Sequence, residues 1–253
     1  MIYTLNKHVR WRKDKKAILI CDCKRLLDLK ISFDYEQFVK KLFHGVSLSE
    51  LDDTEKKVFS DFKKMKLLSN LEIKQIKDGY FSKAMQILDN ELGKGRVRSS
   101  EFLHEKFKKF NEFFIGIFLD KEIIGVICGF PRDDYFLMSE LAVDSRFHNR
   151  GFGKKLVLKF EEITSKKYNK INVGALDNSI YFYSSLKYAP FLLIQFKNED
   201  YDVTDFNKFR IIRSTPGAIE ANVNKTDLNE LEKLRKEYPK ANFQYIFSKK
   251  LNN

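Results

Sequence analysis

The stretch from Leu141 to Leu156 carries the clearest chemical signal in the chain. It reads Leu141-Ala142-Val143-Asp144-Ser145-Arg146-Phe147-His148-Asn149-Arg150-Gly151-Phe152-Gly153-Lys154-Lys155-Leu156, an apolar strand end, a basic loop, two glycines one residue apart and the start of a helical pattern. Such a turn aims several main-chain amides and the positive end of a helix dipole into one concavity. The missing β-carbons at Gly151 and Gly153 let a phosphate come close, so capture of a pyrophosphate is the expected chemistry. A P-loop would need Lys followed by Ser or Thr, whereas Lys154 precedes Lys155 and Leu156. A dinucleotide fingerprint would need a third glycine where Leu156 stands. A bare Gly-x-Gly also shapes ordinary strand-to-helix turns, so the flanking elements must decide.

Those elements alternate. Tyr135 to Val143 reads as a strand, Lys154 to Thr164 as a helix, Ile171 to Leu176 as a buried strand and Ser179 to Leu186 as a helix, an order that implies a parallel strand pair. Ahead of them come a strand at Leu71 to Ile76, a helical region from Ser82 to Phe110, and strands at Phe113 to Leu119 and Ile123 to Phe130. Beyond them lie strands at Phe191 to Phe196 and Phe209 to Arg213, a helix near Leu228 to Lys236 and a last strand at Phe243 to Ser248.

With this context the glycine loop resembles the acetyl-CoA-binding motif of the GNAT superfamily: an apolar strand, Arg or Gln-x-x-Gly-x-Gly or Ala, then an amphipathic helix. His148 stands where Arg or Gln is usual. A second segment agrees, since the family follows its next strand with an Asn and a helix bearing Phe-Tyr, matched here by Asn178 and Phe182-Tyr183, with Tyr188 as the closing aromatic. Lys187 replaces the expected Gly. The resemblance implies acetyl-CoA or a longer acyl-CoA as co-substrate, bound by Leu141, Ala142, Val143, His148, Asn149, Arg150, Gly151, Phe152, Gly153, Lys154 and Asn178. The reaction is aminolysis of a thioester: an amine sheds a proton and the leaving thiolate gains one. Tyr183 is the candidate acid, as the resemblance implies, against the plainer reading of a core tyrosine. Glu140 is the candidate base or amine-binding carboxylate, against that of a surface strand glutamate. The family splays its central strands beside Ala142 and Val143, and Gly174 suits such an opening.

The first 70 residues have another rhythm. Ile2 to Leu5, Val9 to Arg12 and Ala17 to Cys21 read as strands; Tyr35, Phe38, Val39, Leu42 and Phe43 predict a helix over 34–44 closed by Gly45. Ser47-x-x-Glu50 has the form of a capping box, and Val58, Phe62, Met65 and Leu68 continue an apolar stripe. Three strands followed by two or three helices predict a small winged-helix-like module, joined to the next domain through Ser69-Asn70. Residues Tyr3 to Leu68 resemble the PqqD-like peptide-recognition domain, in the Arg12-x-Asp14 turn, Phe38-x-x-x-Leu42-x-x-Gly45 and Met65-x-Leu67-Leu68. That resemblance implies a leader peptide of a ribosomally made precursor, added as an extra strand.

The expected class is therefore α+β: a winged-helix-like domain of three strands and three helices over 1–70, then a GNAT domain over 71–253 with a mixed, mostly antiparallel sheet. An insertion at about 198–240 either shapes the acceptor pocket or closes the sheet. The chain of 253 residues is 43% hydrophobic and 14% aromatic, enough to fold throughout. No apolar run suits a signal peptide or a membrane span, which predicts a cytoplasmic protein. Cys21, Cys23 and Cys128 are an odd set without zinc-ligand spacing, so free thiols and no metal are expected. The net charge of +12 suits an acidic leader or a phosphorylated co-substrate. Nucleic acid is the weaker partner because the lysines are dispersed, although Lys63, Lys64 and Lys66 cluster. The expected function is acyl transfer to an amine of a precursor peptide. Acetylation of a small amine and non-catalytic acyl-CoA binding are the alternatives.

Overall fold

The computed structural model describes residues 1–15, 17–93, 96 and 98–251. They divide into two compact units, one of Met1–Ile127 with Glu140–Phe160, the other of Cys128–Ser139 with the chain from Glu161 onward. The elements in chain order are β1 (Ile2–Leu5), β2 (Val9–Asp14), β3 (Ala17–Asp22), β4 (Leu27–Ser32), α1 (Glu36–His44), β5 (Val46–Ser47), α2 (Asp53–Lys64), β6 (Leu68–Gln75), α3 (Asp78–Leu92), α4 (Ser100–Phe110), β7 (Phe114–Leu119), β8 (Glu122–Pro131), β9 (Phe136–Val143), α5 (Phe152–Thr164), β10 (Lys170–Gly174), α6 (Ile180–Ser185), β11 (Ala189–Gln195), β12 (Ile211–Thr215), β13 (Ala218–Asn222), α7 (Leu228–Glu237) and β14 (Asn242–Lys250).

In the first unit β1 lies antiparallel between β5 and β6, with Tyr3 opposite Val46 and Asn70. Strand β6 also pairs with β7, Leu71 facing Leu119. Strand β7 is buried along its whole length, which is why its six residues are apolar or glycine without alternation. Strands β2, β3 and β4 form a separate antiparallel sheet, with Ile20 facing Trp11 and Leu29. Its inner face packs Val9, Ile18 and Ile20 with Phe38, Leu42, Phe59 and Phe62. The stripe of α1 ends where expected, at Gly45 with φ of +85°. Two capping boxes come next in the chain: Ser47 with Glu50 starts a single 3-10 turn, and Asp52 with Glu55 starts α2.

The structure corrects several expectations. The three-stranded sheet is β2–β3–β4, while β1 belongs with β5 and β6. Strand β4 escaped the sequence reading, although Leu27, Leu29 and Ile31 alternate with polar residues. Leu68 does not continue the helical stripe: Lys66 turns the chain at φ of +54° and Leu68 opens β6, so Ser69 and Asn70 lie inside a strand. The helical region from Ser82 to Phe110 is two helices, α3 and α4, the second capped by Ser99, whose hydroxyl accepts the Phe102 amide at 3.2 Å. Lys94, Gly95 and Val97, which that expectation spanned, lie outside the described residues.

In the second unit β10 runs parallel to the start of β9, Ile171 facing Phe136, as the strand-helix-strand order requires. Strand β14 is antiparallel to both β10 and β11. The long stretch after Phe196 supplies a hairpin, β12–β13, in place of the one strand expected at Phe209 to Arg213, and β13 pairs with β11 over five residues. The insertion thus extends the sheet. Pro216-Gly217 makes the hairpin turn, with Gly217 at φ of +76° and no room for a β-carbon, which would stand 2.8 Å from the Phe196 carbonyl oxygen.

Helix α6 ends on Lys187, at φ of +64°, with the Lys187 amide donating to Ser184 and the Tyr188 amide to Tyr183. The lysine adopts a left-handed conformation that glycine takes without strain. Lys187→Gly is expected to raise stability by about 0.5–1 kcal/mol, relief of left-handed strain outweighing the extra unfolded-state entropy. Urea unfolding checks this.

Candidate active site

In the first unit the chain leaves β9, makes the 3-10 turn Ser145–Phe147 and enters α5. Asp144 caps that turn by accepting the Arg146 amide at 3.0 Å. Phe147 and Phe152, each 1% exposed, bury their rings on either side of the loop and anchor it. Between them Asn149 and Gly151 take φ of +61° and +74°. Left-handed residues alternating with right-handed ones turn successive amides to one side, the geometry of an anion-binding nest. None of the amides from Asn149 to Lys154 donates to an acceptor among the described residues. These six donors lie at the start of a 13-residue helix, whose dipole favours negative charge at that end. The set fits a diphosphate.

The side chains of the loop are disposed differently from its amides. His148 donates from Nε2 to the Val143 carbonyl at 2.6 Å and has Glu91 at 3.6 Å, so its ring ties the loop to the end of β9. Arg150 is 3% exposed and points away from the nest; its Nη1 donates to the Leu5 carbonyl at 3.1 Å. Lys154 is exposed. Leu141, Ala142 and Val143 are the last residues of β9, and Gly125 on β8 is where a β-carbon would stand 3.1 Å from the Ala142 carbonyl oxygen.

Glu140 falls on the same face of β9 as Phe136, Met138 and Ala142, all buried, and is itself 6% exposed. A buried carboxylate needs partners. Arg96 donates from Nε to its Oε2 at 3.3 Å and the Arg98 amide to its Oε1 at 3.2 Å. Arg96 is held in turn by Asp89 and by Ser100 Oγ at 3.2 Å. Burial pushes the Glu140 carboxyl above its ordinary pKa, with Arg96 opposing.

In the second unit Tyr183 is 6% exposed. Its ring packs edge-on against Phe182 and Tyr188, with centroids at 5.1 and 5.9 Å, and tilted on Phe247 at 5.7 Å. Burial raises its hydroxyl well above the ordinary phenol range, so it keeps its proton. Tyr188 donates to Glu161 at 2.8 Å, and Lys249 to both oxygens of the same carboxylate. Asn178 is exposed in a 3-10 turn ahead of α6. At Gly174, the residue expected to suit an opening, a β-carbon would stand 3.0 Å from the Gln244 side-chain nitrogen.

Comparison with known proteins decides the class. The sequence from 81 to 188 matches the acetyltransferase (GNAT) family. Residues 81–188 are a GNAT acetyltransferase domain. This makes the domain an acyl-CoA:amine N-acyltransferase with acyl-CoA as co-substrate. No curated protein matches the sequence. Among solved structures, Ard1 from Thermoplasma volcanium is 12% identical with a TM-score of 0.45, covering 72% of this chain and 99% of its own. The ribosomal-protein-S18-alanine N-acetyltransferase from Escherichia coli is 13% identical with a TM-score of 0.46, covering 73% and 96%. A Pyrococcus horikoshii structure is 16% identical with a TM-score of 0.42, and this chain spans only 56% of its length. At these scores the likenesses add nothing to what the family match establishes.

The matched residues 81–188 contain every candidate co-substrate-binding and catalytic residue singled out from the sequence. Arg96 and Arg98, which hold Glu140, and Asp89, which holds Arg96, were missed. The signal available was indirect: the alternation of β9 puts a carboxylate on the buried face, and such a group calls for a cation. Among the described residues no three His, Cys, Asp or Glu side chains gather in a metal-binding group, and no helix is long and apolar enough to cross a membrane.

Proposed function

We propose that the protein transfers an acyl group from acyl-CoA to a primary amine, the amides of Asn149 to Lys154 holding the diphosphate of the co-substrate. The run of six open amides around two left-handed residues supports this most directly. Acyl-CoA supplies the activated thioester. Ala142 and Val143 offer main chain to the pantetheine arm, with Leu141 beside them, and Asn178 adds a polar contact. Tyr183 keeps a proton at its hydroxyl, available to the departing sulfur. Glu140 removes the proton of the attacking amine, directly or through water. The test is calorimetric titration with acetyl-CoA: micromolar binding is expected, and no heat at millimolar ligand overturns the reading.

The role of Glu140 has a pH signature. Its carboxyl is raised by burial, so the active carboxylate forms only above the ordinary value of about 4.3. With Glu140 as base, kcat/KM rises with pH through that raised midpoint. Removing the Arg96 cation favours the protonated acid, so Arg96→Ala moves the rising limb to higher pH. Glu140→Gln abolishes the limb and lowers the rate about 10²–10⁴-fold. A pH–rate profile unchanged in both variants removes Glu140 from the mechanism.

For the acceptor, we read residues 1–70 as a winged-helix-like element that binds the leader of a ribosomally made precursor peptide, and residues 71–253 as the transferase. What supports this is the β2–β3–β4 sheet, whose outer strands β2 and β4 each have one neighbour and can take an added strand. Binding of labelled acidic peptides to the full chain, read by fluorescence anisotropy, tests it. Turnover with small amines but no peptide binding would replace it.

A further inference from the structure

The side chain of Arg150 is a cation almost wholly removed from water, 3% exposed, and no carboxylate lies in its ion-pair range among the described residues. Desolvating a guanidinium is costly unless something compensates. What compensates here comes mostly from the beginning of the chain. The Leu5 carbonyl at the end of β1 accepts from Nη1 at 3.1 Å, across 145 residues of sequence. The guanidinium carbon lies 4.9 Å from the centroid of the Phe43 ring on α1 and 5.4 Å from that of Phe147 in the loop itself, both within cation–π range. A neighbouring contact and a close approach repeat the pattern. Lys155 Nζ reaches the Gly45 carbonyl at 3.4 Å, and His44 Nδ1 lies 3.7 Å from where a β-carbon on Gly151 would be. Every one of these contacts falls within the first unit.

Arg150 sits between the two left-handed residues that turn the open amides outward. Its main chain therefore belongs to the nest while its side chain is fixed to β1 and α1. We infer that Arg150 is a positioning residue, through which Leu5 and Phe43 of the N-terminal segment hold the acyl-CoA loop in its binding conformation. This rests on the acyl-CoA reading proposed above. It assigns β1 and the end of α1 a part in co-substrate affinity that no motif of the loop contains. Anything that shifts β1 or α1, a bound peptide included, changes that affinity.

The experiment compares acetyl-CoA affinity by calorimetry, far below the melting temperature, in the full-length wild type, Arg150→Met, Arg150→Lys and Phe43→Leu. Arg150→Met keeps an unbranched apolar stem and removes the guanidinium, with its charge, its donors and its ring contacts. It is expected to bind about tenfold more weakly, the worth of one charge-assisted hydrogen bond. Arg150→Lys restores a cation and a donor and recovers to within about threefold of wild type. Phe43→Leu, outside the loop, weakens binding about threefold. Combined with Arg150→Met it adds little more, because the two act through one contact. Wild-type affinity in both Arg150→Met and Phe43→Leu overturns the inference while leaving the acyl-CoA reading intact. A lower melting temperature with unchanged affinity likewise assigns Arg150 a purely structural role. Absence of binding by the wild type overturns both. Should Arg150→Met not fold, Phe43→Leu decides alone: weakened binding supports the inference and wild-type binding rejects it.

Discussion

Gly151→Val is expected to weaken acetyl-CoA binding about 100-fold while the protein stays folded. Gly151 has φ of +74°, a conformation that a β-branched residue adopts only under strain. The loop relieves that strain by rotating residues 150–152, which turns at least one or two amides out of the nest. Each amide bound to a charged oxygen is worth about 1.5–3 kcal/mol, so one loss near the upper end or two near the lower end gives about the stated factor. A new side chain would also meet His44, whose Nδ1 lies 3.7 Å from the β-carbon position. Asn149→Gly is the matched control, since φ of +61° suits glycine at least as well as asparagine, and its affinity should stay near wild type. Calorimetry on the three proteins reads the effect. Equal affinity in Gly151→Val would mean that the amides of 149–154 do not hold the diphosphate.

The second large effect is expected from Tyr183→Phe, which should lower kcat about 10²–10⁴-fold with acetyl-CoA affinity unchanged. The substitution removes one oxygen and keeps the ring packed on Phe182, Tyr188 and Phe247, so packing survives. Because burial holds the hydroxyl protonated, the proton-bearing form is the one present at neutral pH, and its own ionisation should contribute no falling limb there. Release of free thiol with a panel of amines and peptides gives the rate. A variant that turns over like wild type would reduce Tyr183 to a core tyrosine.

How much of this could be read from the sequence depended on how local each cause is. The glycine loop was legible because φ above zero, helix periodicity and an apolar strand all lie within 16 residues. The parallel strands β9 and β10 followed from the order of elements, and α1 from its stripe and Gly45. Strand β4 was passed over because five alternating residues after a turn resemble a connection until β3 is there to pair with. Leu68 was misassigned because an apolar residue three after Met65 suits a helix as well as a new strand. The holding of Glu140 by Arg96, and of Arg150 by Leu5 and Phe43, was invisible for a different reason. Those partners lie 44, 145 and about a hundred residues away in sequence, and no spacing rule joins them.

The link between Leu5 and Arg150 also bears on how the chain is made. At about 5–20 residues per second, the 145 residues separating them take about 7–29 s to leave the ribosome. Once residue 75 has been made, strand β1 can find β5 and β6, but the guanidinium that donates to the Leu5 carbonyl is still to come. The first unit therefore cannot finish folding as a nascent N-terminal piece. Slowed elongation between residues 75 and 150 should lengthen the time for which an incomplete, protease-sensitive species persists.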